Sequence, residues 1–157
     1  MNTSDALIFH NFDSQAIHVI KQTRTIHIRN IPCRITKQNL ETYFKRFGLI
    51  NIICVKIPYN SIFQTAEIVY DDPFSIELFH RSKWGVFIIG EAVRIYSANF
   101  SKEAHELRYQ FTAVLCNFSR NTQNINYMRM FFNFSVASMG IPWTINNSLK
   151  PWIYINF

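Results

Sequence analysis

From residue 25 to residue 98 the apolar positions switch repeatedly between a period of two and a helical period, and that order restricts the fold more than any other feature. In residues 25–31, Ile26 and Ile28 lie on one side and His27 and Arg29 on the other, as in a half-buried strand. Pro32 ends the pattern because it has no N–H to give to a ladder. Thr36 is a suitable helix N-cap. Leu40, Phe44 and Phe47 then recur at i, i+4 and i+7, and Gly48 stands where a left-handed C′ residue would. Residues 51–57 are β-branched and apolar, with Ile53, Val55 and Ile57 on one face. Residues 65–70 alternate again, Ala66, Ile68 and Tyr70 inward and Thr65, Glu67 and Val69 outward. Asp72-Pro73 opens a second helix, with Asp as cap and Pro at the first position, running to about Lys83. Gly90-Glu91 turns into a last strand at 92–96, with Val93 and Ile95 inward.

Strand, helix, strand, strand, helix, strand predicts an α+β, ferredoxin-like βαββαβ sandwich: a four-stranded antiparallel sheet with two helices on one face. Residues 1–22 form an N-terminal extension in which Ala16, Ile17, Val19 and Ile20 suit a short helix or strand. Residues 23–100 are the first unit, and the polar stretch 101–110 is a linker or short helix. Residues 111–157 restart the pattern as a partial βαββ repeat. Ala113-Val114-Leu115-Cys116-Asn117-Phe118 echoes Ile26–Ile31, including Asn at the fifth position. A helix is expected over 121–134, with Ile125, Met128 and Phe132 on one face, and a second strand over 136–143. In 150–157, Trp152, Tyr154 and Asn156 alternate against Ile153, Ile155 and Phe157.

Hydrophobic residues make up 48% and charged residues 17%, too apolar a mixture for intrinsic disorder. Apolar runs such as Val86–Ile89 are far below the roughly 20 residues of a membrane span. The first ten residues lack the basic start of a secretory signal, so nucleus or cytoplasm is the expected location, away from any membrane. The three cysteines, Cys33, Cys54 and Cys116, form no CxxC pair, so reduced thiols and no metal are expected. No Gly-rich phosphate loop, nucleophile elbow, HExxH or close carboxylate pair occurs; Asp71-Asp72 serves as a helix cap. Neither an enzyme nor a cofactor is expected. The net charge of +6 attracts polyanions without requiring one.

The residues of the first unit resemble the RNA recognition motif (RRM) family. That family's first-strand motif is aliphatic, aromatic, aliphatic, any, Asn, Leu, and here stands Ile26-His27-Ile28-Arg29-Asn30-Ile31. Its first-helix signature is matched by Leu40, Phe44, Phe47, Gly48 and Ile50. The third-strand octet aligns with Phe63-Gln64-Thr65-Ala66-Glu67-Ile68-Val69-Tyr70: the core positions fit, and Thr65 and Glu67 replace the exposed aromatics. The second copy has the opposite bias. Lys150-Pro151-Trp152-Ile153-Tyr154-Ile155-Asn156-Phe157 keeps the basic residue and both exposed aromatics.

The resemblance implies single-stranded RNA as partner, held by rings on the open sheet face. It assigns contacts to His27, Arg29, Lys56, Thr65, Glu67, Arg94 and Tyr96 in the first copy and to Lys150, Trp152 and Tyr154 in the second. With Thr65 and Glu67 in place of rings, binding by the first copy is expected to be weak and electrostatic. The alternative is a degenerate RRM that binds a protein. Residues 111–157 are too few to fold readily alone, so docking on the first unit or self-association through a second chain is expected. Trp84 is expected to cover the sheet edge.

Overall fold

The computed structural model describes residues 14–59, 61–108, 110–119, 136–142 and 150–157. The helix expected over 121–134 lies outside the described residues.

β1 (Thr25–Pro32) is the spine of the first sheet. It pairs antiparallel with β3 (Phe63–Tyr70) on one side and β5 (Glu91–Ser97) on the other, and its Ile26, Ile28 and Ile31 are wholly buried. β2 (Ile50–Lys56) joins beyond β3, and β4 (Gly85–Ile88) beyond β5, so the order is β2-β3-β1-β5-β4. The four expected strands are present, and β4 adds a fifth. In the sequence β4 is only a short apolar run, which periodicity cannot assign.

α2 (Lys37–Phe44) begins in a capping box: Asn39 N–H donates to the Thr36 hydroxyl at 3.2 Å and Thr36 N–H donates to the Asn39 side chain at 2.9 Å. The second helix departs from expectation. It opens as a 3₁₀ turn (Pro73–Ile76) capped by Asp72, continues as α3 (Glu77–Arg81) and stops short of Lys83. Leu40 and Phe44 of α2, with Ile76 and Phe79, bury against Ile26, Ile28, Ile68, Tyr70 and Ile95. Gly48 ends the helical stretch at φ 156, and a Cβ there would overlap the Ser75 hydroxyl, so both backbone and space demand glycine. Ile57 lies outside β2 and is exposed, so only Ile53 and Val55 of the expected trio reach the core. β4 and β5 meet through Ile89-Gly90, both at positive φ, as a two-residue hairpin turn requires.

The N-terminal extension supplies α1 (Ser14–Gln22). Its Ile17 and Ile20 line an apolar hollow with Ile52 and Val69. Val69, although on the outward face, is therefore only 2% exposed.

The second unit is a three-stranded sheet in the order β6 (Thr112–Cys116), β8 (Trp152–Asn156), β7 (Ser138–Gly140). Buried Asn156 joins all three strands. It accepts from the Thr112 hydroxyl at 2.6 Å and donates to the Ser138 hydroxyl at 2.7 Å. The repeat extends to the backbone: Asn30 and Asn117 both take positive φ, 59 and 67, which Asn tolerates better than most residues. Phe87 of β4 packs on the second core of Met139, Ile141, Ile153 and Ile155, and Trp84 N–H donates to Ala137 C=O at 3.0 Å. Residues of the second unit are thus seated on the first.

Candidate nucleic-acid interface

The sheet face opposite α2 and α3 is flanked on both sides. α1 borders it near β3. α4 (Lys102–Leu107), capped by Ser101, borders it near β5 and ends at Arg108. Arg108 is buried, and its guanidinium donates to Ile95 C=O at 2.6 Å and Phe79 C=O at 3.0 Å while lying 4.1 Å from the Phe100 ring centroid and 5.0 Å from that of Trp84. Trp84 therefore packs on this cation. It does not cover the sheet edge, because β4 continues the sheet beyond β5.

Between the flanks lies a groove of about 520 Å³ lined by His27, Arg29, Cys54, Lys56, Thr65 and Glu67. Five residues expected at the site are gathered here by strand register: His27 stands opposite Glu67, and Lys56 opposite Thr65. Lys21 of α1 donates to Glu67 at 2.8 Å. This bond holds the Glu67 carboxyl below its ordinary range against the opposing effect of burial, so it stays ionised but locally neutralised. Lys21 lies 46 residues away along the chain, so the pairing has no local signal in the sequence. Burial, with help from Arg29 and Lys21 and against Glu67, holds the His27 imidazole below its usual value. At neutral pH His27 is an uncharged ring.

Tyr96 is covered. Its ring has Arg29 5.2 Å from the centroid and His105 of α4 at 5.0 Å.

The remaining expected residues belong elsewhere. A cleft of about 450 Å³ lies between the units, with Asn30, Phe63 and Arg94 on one wall and Thr112, Trp152 and Tyr154 on the other. Arg94 Nε donates to the Tyr154 hydroxyl at 3.0 Å, and its guanidinium lies 4.1 Å from the Tyr154 ring centroid. Tyr154 is only 8% exposed, which corrects its expected place as an open stacking ring. Trp152 stays half-buried in the cleft, with Lys150 Nζ 5.3 Å from its ring centroid. Each unit by itself has one open sheet face. Together they use an Arg of one face to cover a Tyr of the other.

The sequence matches no family model and no curated protein. Several solved structures resemble the chain. The first two RRM domains of yeast poly(U)-binding protein Pub1 share 19% identity, covering 85% of this chain and 82% of that one, at a TM-score of 0.41. The Sxl-lethal protein/RNA complex shares 12%, covering 85% and 81%, at 0.40. The PID-3 TOFU-6 RRM domain complex shares 17%, covering 47% and 92%, at 0.42. The fold itself is read from the strand order β2-β3-β1-β5 with α2 and α3 on one face. The first unit has an RRM-like fold. To this RRM arrangement the chain adds α1, β4 and α4.

Proposed function

We propose that this protein binds single-stranded RNA through the groove of the first RRM-like sheet, weakly and mainly by charge, as a binding module with no catalytic role. The observation that carries this reading is the convergence of His27, Arg29, Lys56 and Thr65 on one groove whose single acid, Glu67, is neutralised by Lys21. Cations there attract phosphates, and the neutral His27 ring offers one base a stacking surface. The inter-unit cleft with Trp152, whose ring has Lys150 beside it, would continue the path of the strand. Such a role suits the nucleus or the cytoplasm.

Glu67→Phe tests the groove directly. It places a ring where the RRM octet has one and releases Lys21 for phosphate. Binding to a short single-stranded RNA should tighten by about 1–3 kcal/mol, the worth of one base stack. Unchanged affinity in a folded variant would move the RNA surface away from this groove. A second reading, a protein-binding module, draws support from Tyr96 and Tyr154: Arg29, His105 and Arg94 already occupy those rings. The same variant separates the readings, because a protein-binding module would show no RNA affinity to improve.

A further inference from the structure

Tyr96 projects from the open face of β5 and stands directly opposite His27 in the β1–β5 ladder, so the two rings are neighbours on that face. The groove therefore continues from His27 toward Tyr96, where it meets α4. The His105 imidazole lies 5.0 Å from the Tyr96 ring centroid, tilted by 30° to it. That is the spacing of an offset aromatic stack, and it puts a flat heteroaromatic ring where a nucleobase would rest. Tyr96 is left only 7% exposed. His105 is itself uncharged at neutral pH: burial, then Arg108 and Arg29, hold its imidazole below the usual value.

The body of α4 is lightly held. None of its six residues is buried, and Leu107 is 62% exposed. Helices shorter than about 12–15 residues are marginal without tertiary contacts. The firm attachments are at the two ends. Phe100 packs edge-on against His80 at 5.2 Å, and Arg108 is fixed by its bonds to Ile95 and Phe79 C=O. The helical chain between those ends covers about 12 Å, whereas the same residues extended reach about 26 Å. Unwinding α4 thus lets His105 leave Tyr96 while Arg108 stays in place.

We propose that α4 is a strap that competes with single-stranded RNA for Tyr96. In the free chain His105 occupies the position of a base, and an incoming base displaces it as α4 unwinds. This inference rests on the groove reading above and adds an internal competitor to it. Because the closed strap hides one stacking ring, the apparent affinity falls with the fraction of chains in which α4 is open.

Binding of the full chain to a pool of short single-stranded RNAs, read beside hydrogen exchange of residues 102–107, tests it. His105→Ala removes the competing ring without changing the charge and should tighten binding about two- to tenfold, the worth of one ring pair. On a Tyr96→Leu background, which keeps an apolar side chain beneath α4, the same substitution should bring no gain. In the native chain, RNA should speed exchange across residues 102–107, the reverse of the protection a ligand ordinarily gives. Equal binding by native and His105→Ala chains, a gain that persists with Tyr96→Leu, or slower exchange on RNA binding would overturn the strap and leave the groove reading standing. RNA bound by the His105→Ala chain alone would support the strap in its tightest form. RNA bound by neither folded chain overturns both readings.

Discussion

Phe44→Ala should destabilise the first unit by roughly 3–5 kcal/mol, the usual loss when a buried phenyl ring leaves a cavity. Phe44 is wholly buried, and its ring meets Phe79 and Phe47 at centroid distances of 6.1 Å and Tyr43 at 5.2 Å. These rings join α2 to α3 across the sheet, so collapse into the void would have to move both helices. The Tyr70 hydroxyl donates to Phe44 C=O at 3.1 Å, a bond the substitution leaves intact in principle. The loss is therefore mainly packing. Against a total stability of about 5–15 kcal/mol, a large shift of the thermal or urea midpoint is expected. An unshifted midpoint would contradict the core described here.

Arg108→Met should cost about 3 kcal/mol and release α4 from the sheet. Two hydrogen bonds from a charged donor are worth roughly 1.5–3 kcal/mol each, and the freed Ile95 and Phe79 carbonyls would recover part of that from water. Methionine keeps much of the apolar stem, so the loss reports the guanidinium. Arg108→Lys should rescue little, because an ammonium lacks the planar fork that reaches two carbonyls while stacking on Phe100. With α4 loosened, His105 no longer covers Tyr96. Hydrogen exchange of residues 102–108 should speed up in both variants. Slow exchange there in Arg108→Met would show that α4 is held by something else.

Most of the first unit is legible in the sequence because its signals are local. The alternation at β1 and β3, the Thr36 and Asp72 caps and the apolar spacing of α2 each appear within a few residues. β4 escapes because a four-residue apolar strand has no period to read. The site is half legible. His27, Arg29, Lys56, Thr65 and Glu67 fall on one face by strand alternation alone. What alternation cannot show is the company these faces keep. Lys21 reaches Glu67 across 46 residues and Arg94 reaches Tyr154 across 60, and neither separation has a sequence signature. In the sequence Arg108 is one charge in the polar stretch 101–110, yet it is the buried anchor of that segment.

The central claim, a charge-driven RNA groove on the first sheet, is tested most directly by titrating salt against binding of the full chain to a pool of short single-stranded RNAs. The logarithm of the binding constant should fall linearly with the logarithm of salt concentration, by about 0.7 for each phosphate neutralised. Arg29→Ala and Lys56→Ala should each weaken binding and make that slope shallower by about 0.7. Binding that ignores salt, slopes unmoved by either substitution, or no RNA binding at low salt by the folded chain would contradict the account.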